Sequence, residues 1–251
     1  MSGHSKWHTI KHKKGAADAK RGKVFTRIIK ELTVASRNGG GDPNMNPRLR
    51  TIIADAKAVN MPADTIKRAI DKAVGSGEAE QYEEIIYEGY GPGGVAILVE
   101  AATDNKNRTA AEVRSIFSKA GGQLAGAGAV AWQFETRGIV YITRDGQDPD
   151  DIALAAIDAG ADDVDTEGDP LEIVTEPGNL EAVRTALEGT GVTIESAEVA
   201  MQPKSTIEVE VSAARQNLRL IENLEDLDDV QRVTANFDIP DEVMAEVALA
   251  R

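Results

Sequence analysis

The sequence predicts an α+β protein, with three N-terminal helices followed by two α/β domains, one of them inserted in the other. Three observations lead to this fold. Apolar residues recur at helical spacing up to residue 75, and strand-like runs with glycine-rich turns begin after it. The later strands and helices then alternate in a fixed order. The chain has 251 residues, of which 41% are apolar, enough to bury one large core or two to three smaller ones.

The N-terminal region predicts a basic arm and a three-helix bundle. Residues 1–14 contain no acid and no periodic apolar stripe, so we expect a mobile arm. A helix over 16–37 has apolar residues on one face and ends at three glycines. Asn46 and Pro47 are typical of a helix start, and a third helix opens at Pro62. Three short amphipathic helices can close one small bundle.

The sequence after residue 77 predicts two ferredoxin-like α/β domains. The predicted strands are 85–88, 95–101, 129–135, 138–143, one near Val164, 171–175, 192–200, 206–211 and 229–238. The predicted helices are 108–120, 150–159, 178–188 and 213–224. Strands and helices from 138 to 200 follow the order β-α-β-β-α-β of the ferredoxin-like unit. The last three elements, strand 206–211, helix 213–224 and strand 229–238, form only half of a second such unit. The strands and helix over 95–135 supply its other half. We therefore assign 1–77 to the arm and bundle, 78–136 and 205–240 to a split domain, and 137–204 to the inserted domain.

Composition excludes several classes of chemistry. The chain contains no cysteine, which rules out disulfides, thiolate nucleophiles and cysteine-ligated metals. Its longest unbroken apolar stretch is six residues, 152–157, far short of the roughly 20 that a membrane span needs. Because no apolar signal segment follows Met1, we expect a cytoplasmic protein with no membrane partner. No catalytic motif is present, so we expect no enzyme activity, no cofactor and no small-molecule substrate.

The charge distribution points to a polyanion partner. Residues 1–75 hold 16 Lys and Arg against 6 Asp and Glu, a net charge of +10, whereas residues 76–251 carry −24. A basic segment joined to an acidic body is typical of a nucleic-acid contact surface. The alternative is that these cations only solvate helix surfaces.

The basic segment contains two candidate contact surfaces. On the first helix, the side opposite the apolar stripe carries Lys20, Lys23, Arg27, Lys30 and Arg37. In the arm, Trp7 and the histidines are suited to stack on unpaired bases while lysines contact phosphates. The three histidines at 4, 8 and 12 also have the spacing of helical metal ligands, but the surrounding lysines disfavour a dication. A plain disordered tail is the remaining alternative.

Glycine-rich and acidic runs are weaker signals. Gly89–Gly94 is expected to form a hairpin turn, and Gly121–Gly128 either a contact loop or a plain connection. Trp132 is expected to be partly buried on a strand. Counted from Asp163, the acidic run 162–169 resembles a calcium loop but fails at the twelfth position, which is Val174. We expect this run, and that at 222–229, to be solvated turns and helix ends.

Six blocks of sequence carry a resemblance to a known family. They are GHSKW, KHKKGAADAKRGKVFTRIIKELTVASRNGGGDPNMNPRLR, YEGYGPGG, TDNKNRTAAEVRSIFSKAGG, GAVAWQFE and LEDLDDVQRVTANFDIP. They resemble the YebC/PmpR family, which includes the mitochondrial translational activator of cytochrome c oxidase. The resemblance covers essentially the full length. It implies a three-domain protein, a helical domain plus two α/β domains, without enzyme activity.

The resemblance also implies site residues and a function. The residues matching the family's basic block are Lys6, Trp7, Lys11, His12, Lys13, Lys14, Lys20, Arg21, Lys23, Arg27 and Lys30, and those in its TDN-NRT segment are Lys106 and Arg108. Members are described as DNA-binding transcriptional regulators, which is the leading expectation. The alternative is a ribosome-associated factor that binds ribosomal or transfer RNA and relieves stalling at stretches such as polyproline. A second alternative is a metal- or nucleotide-dependent enzyme using an acidic cleft between domains.

Overall fold

The architecture is that of a computed structural model, which describes residues 18–75, 81–168, 170–240, 242, 243 and 245. For residues 18–21 only the helical backbone is described. The helices are α1 (Asp18–Gly39), α2 (Pro47–Ala58), α3 (Ala63–Val74), α4 (Lys106–Lys119), α5 (Pro149–Asp158), α6 (Leu180–Thr190) and α7 (Val211–Glu225). The strands are β1 (Glu83–Tyr90), β2 (Ala96–Thr103), β3 (Gln123–Leu124), β4 (Phe134–Thr143), β5 (Ala161–Asp165), β6 (Leu171–Thr175), β7 (Thr193–Pro203) and β8 (Val230–Ala235).

The first three helices form the predicted bundle. Asn46 caps α2, its side chain accepting a hydrogen bond from the Leu49 amide at 3.1 Å, and Pro47 occupies the first helical position. The bundle core consists of apolar side chains at three- and four-residue spacing on the three helices and the α2–α3 turn: Ile28, Leu32, Ala35, Leu49, Ile52, Ala56, Met61, Ile66 and Ala69. The amphipathic pattern of the sequence is therefore sufficient to place all three helices.

Two four-stranded sheets confirm the predicted insertion. One sheet has the order β3-β1-β2-β8, so its strands come from both before and after the second sheet in the chain. The second sheet has the order β5-β6-β4-β7, which is the strand order of a ferredoxin-like β-α-β-β-α-β unit. Its core joins α5 and α6 to the inner face of β4 and β6.

Glycines shape the first sheet at two points. The run Gly89–Gly94 ends β1 and turns the chain into β2 as the predicted hairpin, with residues 91–95 between the strands and Gly93 and Gly94 at φ of 78° and 79°. Within β1, a Cβ on Gly89 would lie 2.6 Å from the ring of Phe117 on α4. The missing side chain thus lets the buried Phe117 pack directly on the strand.

Two predicted strands differ in the structure. Residues 131–133 form a 3₁₀ turn closed by a hydrogen bond from the Gln133 amide to the Val130 carbonyl, so β4 is a single strand from Phe134. Trp132 on this turn is 68% exposed, and the prediction that it is partly buried on a strand is wrong. The predicted strand 206–211 is only one parallel bridge from Ile207, because α7 already begins at Val211.

The predicted acidic turn at 162–169 contributes an edge strand. Asp162 and Asp163 are exposed on β5, the edge of the second sheet. Charged side chains on an edge strand oppose pairing with another chain. Part of this acidic run therefore has a structural position that its composition alone did not indicate.

Contacts divide the chain into two compact units. One contains the described residues up to Ala129 together with 216–233, and the other contains 130–215 together with the described residues from Thr234. The helical bundle and most of the first sheet thus belong to one unit, and the inserted sheet belongs to the other. None of the helices in the described ranges is long and apolar enough to cross a membrane.

Candidate nucleic-acid interface

The structure describes five of the thirteen candidate site side chains. The residues of the arm lie outside the described residues: Lys6, Trp7, Lys11, His12, Lys13 and Lys14. Lys20 and Arg21 lie in α1, but their side chains are also outside the described part. The candidates with described side chains are Lys23, Arg27, Lys30, Lys106 and Arg108.

Helix α1 exposes only part of the cationic face that its sequence predicts, since Lys23 and Arg37 are exposed but Lys30 is buried. From Ile28 to Ser36 it is buried on both sides, and Lys30 is only 6% exposed. Lys23 is exposed, whereas Arg27 is half-buried. The prediction that Lys30 lies on a solvent-exposed surface is therefore wrong. The reason is that the side of α1 opposite the bundle core packs against a second, distant part of the same chain.

That distant part is the acidic turn between α7 and β8, residues 226–229. The Lys30 ammonium lies 2.6 Å from Asp229 Oδ1 and donates to the Asp228 carbonyl oxygen at 2.9 Å. Lys23 donates to the carbonyl oxygen of Asp226 at 3.0 Å and lies 3.2 Å from its carboxylate. The run 222–229 is thus not only a solvated helix end, because it supplies anions to the cationic side of α1.

Asp229 is the centre of a buried charge cluster. Its side chain is almost fully buried, and its second oxygen, Oδ2, accepts hydrogen bonds from Arg108 at 2.6 Å and from Thr109 at 2.7 Å. Thr103 donates to the same oxygen at 3.0 Å. Five groups therefore meet, which we call the Asp229 cluster: Lys30, Thr103, Arg108, Thr109 and Asp229. A buried carboxylate is tolerated when its oxygens are satisfied in this way.

The cluster shifts the pKa values of Asp229 and Arg108. Burial alone would raise the pKa of Asp229, but hydrogen bonds from Arg108, Lys30 and Thr109 hold that pKa well below its usual range. The hydrogen bond to Asp229, with a further one to Asp104, raises the pKa of Arg108. Asp229 is consequently ionised throughout the neutral range.

The TDN-NRT segment has a local structure that builds this cluster. It spans the end of β2 and the start of α4, where Asn105 caps the helix by accepting from the Arg108 amide at 3.1 Å. Asp104 lies 2.8 Å from the Arg108 guanidinium and helps to orient it. Capping thus fixes the first turn of α4 so that Arg108 and Thr109 reach Asp229.

The two site candidates in this segment are both ion-paired. Arg108 is bound to Asp229 and Asp104, although its side chain is 45% exposed. Lys106 lies 2.5 Å from Glu83 at the start of β1. Each cation already has an anionic partner within the chain, with which a phosphate would compete.

The glycine-rich loop after α4 is attached to β1. The Gly128 amide donates to the buried Glu88 carboxylate at 2.6 Å, and the Ala125 amide donates to the Glu88 carbonyl at 2.7 Å. Tyr90 also donates its hydroxyl to the Ala129 carbonyl at 3.0 Å. Of the two interpretations of this loop, these bonds favour an ordered connection.

Sequence reasoning missed Asp229 and the acidic turn. The signal was present in the charge partition, since the most basic and most acidic segments of one chain attract each other. Motif spacing could not reveal it, because Lys30 and Asp229 are 199 residues apart. In the part of the chain that is described, no three His, Asp or Glu residues are grouped to hold a metal ion.

The fold and the cluster define a class of protein: a basic helical bundle joined to a split α/β domain that carries a second α/β domain as an insertion. The chain belongs to the TACO1/YebC family. The family's N-terminal domain matches residues 5–76, and its second and third domains match residues 82–237.

Relatives of known name are similar over nearly the whole chain. A probable transcriptional regulatory protein from Desulforapulum autotrophicum is 57% identical over 243 residues, covering 97% of this chain and 98% of the relative. One from Rubrobacter xylanophilus is 54% identical, covering 99% of this chain and all of the relative. The crystal structure of a conserved hypothetical protein from Aquifex aeolicus matches with a TM-score of 0.83 at 46% identity, covering 89% of this chain and 92% of that one. The names of the first two relatives are those of transcriptional regulators and not of enzymes.

Proposed function

We propose that this protein is a non-enzymatic, cytoplasmic regulator of gene expression that binds nucleic acid through residues 1–77. In this proposal the binding domain is joined to two α/β domains, which are the split domain over 78–136 and 205–240 and the inserted domain over 137–204. The observation that supports it is the charge separation, +10 in residues 1–75 against −24 in the rest. The regulator names of the relatives agree with this role.

The leading target is duplex DNA, as the transcriptional names imply. Phosphate contacts by lysines and arginines give affinity for any nucleic acid, and base contacts give sequence specificity. A DNA target therefore requires side chains that read base edges in a groove. Lysines of the arm, such as Lys11 and Lys13, are the candidates for this role.

One observation favours RNA, as bound by a ribosome-associated translation factor. The cations of α3 are Lys67, Arg68 and Lys72, which suit phosphate contacts, and Arg68 donates its Nε to the Asp64 carbonyl of its own helix. No Asn or Gln for adenine recognition is present on this helix. Such a surface supports recognition of shape and backbone, which is common for structured RNA.

Salt-dependent binding tests the proposal. The full chain is titrated against a labelled DNA duplex and a labelled RNA of equal length, at several salt concentrations. We expect binding that weakens as the salt concentration rises. Changing Lys11, Lys13 and Lys14 together to Gln should flatten the slope of log affinity against log salt concentration, the salt slope, by about 2 to 3 units. Failure of the parental chain to bind either probe at low salt would refute the proposal.

A nucleotide and metal screen addresses the enzyme alternative. Thermal unfolding is recorded with and without Mg²⁺, Mn²⁺, ATP and GTP. A ligand that binds only the folded state raises the melting temperature. We expect no rise, because the sequence contains no catalytic motif. A saturable rise with one nucleotide would instead favour the enzyme alternative.

A further inference from the structure

A groove on the bundle combines an apolar floor with two lysines. It lies between α2 and α3 and has a volume of about 240 Å³. Its lining residues are Gly41, Ile53, Lys57, Ala63, Ile66, Lys67, Ile70 and Asp71. The isoleucines come from the side of the helices that faces the bundle core, and the lysines are exposed. The groove is thus apolar inside and carries two lysines and one aspartate at its rim.

The lysines of this groove differ from the cations of α1 and α4. Neither Lys57 nor Lys67 forms an ion pair or side-chain hydrogen bond with any residue in the described part of the chain. Asp71 also lines the groove, but it pairs with neither of them. By contrast, Lys30 and Arg108 are committed to Asp229. A phosphate that contacts Lys57 or Lys67 therefore breaks no existing ion pair of these lysines.

We propose that this groove binds one unstacked nucleotide of single-stranded RNA. Lys57 and Lys67 contact the phosphates on either side of that nucleotide, and its sugar and base lie on the isoleucine floor. The volume is below the roughly 300–1,000 Å³ of pockets for drug-sized ligands, so the groove has room for no more than one base with its sugar, and the phosphates must lie outside it. In a duplex the bases are stacked and paired, and they cannot enter a concave apolar site without being extruded. Single strands and loops present unstacked bases directly.

This inference rests on the proposed function with RNA as the target, and it refines that alternative to a site and a ligand. The test compares two double variants of the full chain, Lys57→Gln with Lys67→Gln, and Arg114→Gln with Lys119→Gln. The second pair is the control, because both residues are exposed on α4, outside the groove, and give the same change in charge. The probe is a labelled uridine RNA of about twelve nucleotides, within the usual 4–16 nucleotides of a single-strand site. A DNA duplex of the same length is the second probe.

The expected result is specific to the groove and to the single strand. Losing two contacts should flatten the salt slope for the RNA by about 1.4 units and weaken its binding at least about tenfold near physiological salt. The control pair should change the affinity less than about threefold. Binding to the duplex should change no more than in the control. Equal losses in the two double variants, or equal losses for RNA and duplex, would overturn the proposal.

A third variant tests occlusion of the groove while preserving the lysines. Ala63 is exposed at the first position of α3, where a glutamate is favourable to the helix. Ala63→Glu should keep the parental melting temperature and weaken RNA binding by about tenfold or more, since it adds a carboxylate to the lining of the groove. Parental affinity in this folded variant would contradict the site. If the parental chain itself binds no nucleic acid, the proposed function fails first, and this site fails with it.

Discussion

The lysines of the helical bundle lie in two opposite environments, one buried and one exposed. On α1, Lys30 is buried and held by Asp229, whereas on α2 and α3 the ammonium groups of Lys57 and Lys67 are exposed and have no partner among the described residues. A buried charge is stable only when it is paired and hydrogen-bonded, so the first surface is committed to the fold. The second surface remains available to an external anion. Positive charge in a sequence therefore indicates an interface only after internal acidic partners are taken into account.

The largest expected effect is the loss of the buried carboxylate. Asp229→Asn leaves Lys30 with no anionic partner in a buried site and removes the charge that Arg108 binds. Breaking a buried pair by removing one partner costs about 3–5 kcal/mol of the free energy of unfolding. Urea denaturation followed by circular dichroism measures this change.

The control is a carboxylate of the same turn on the exposed side. Asp226 is 71% exposed and pairs with Lys23, which is 44% exposed. Exposed pairs contribute about 0–1 kcal/mol, so Asp226→Asn should change the free energy of unfolding by no more than that. Similar losses from Asp226→Asn and Asp229→Asn would show that burial does not distinguish the two ends of the turn.

The second expected effect is a pH dependence of the free energy of unfolding, which originates at Asp229. Its pKa is lower in the folded protein than in the unfolded chain, where an aspartate titrates near about 3.9. Its stabilisation is therefore fully present above about pH 5 and is lost as pH falls below about 4, when the unfolded chain binds the proton first. The stability difference between the parental chain and Asp229→Asn should shrink over this acidic range and stay constant between about pH 6 and 8. A difference that grows on acidification would contradict the assignment.

Local sequence signals were sufficient to predict most of the fold. Asn46, Pro47 and the apolar spacing located the bundle helices, and alternation of strands and helices located the two sheets. The exceptions lie where tertiary contacts decide the outcome. Residues 131–133 form a turn although their pattern is strand-like, and only one residue near 207 finds a strand partner.

The candidate site was less predictable than the fold. Helical periodicity correctly separated Lys30 from the apolar stripe of α1, but it could not show that this second side is also covered. The covering residue, Asp229, comes from the other end of the chain, and its composition alone indicates a solvated acidic turn. In the same way, the segment with Arg108 matches a family motif without revealing that its cation is held internally. Pairing between distant charges depends on the tertiary fold, which sequence periodicity does not report.

The most direct test of this account measures stability and nucleic-acid affinity on one variant, Lys30→Met. Methionine keeps the length and apolar stem of the side chain and removes the charge that satisfies Asp229. We predict that the free energy of unfolding falls by about 1–3 kcal/mol, less than for Asp229→Asn because Arg108 still binds the carboxylate. The folded variant should retain the parental affinity and salt slope for the RNA probe. An unchanged stability together with a salt slope flattened by about 0.7 units would contradict the account, because Lys30 would then be a phosphate contact and not part of the fold.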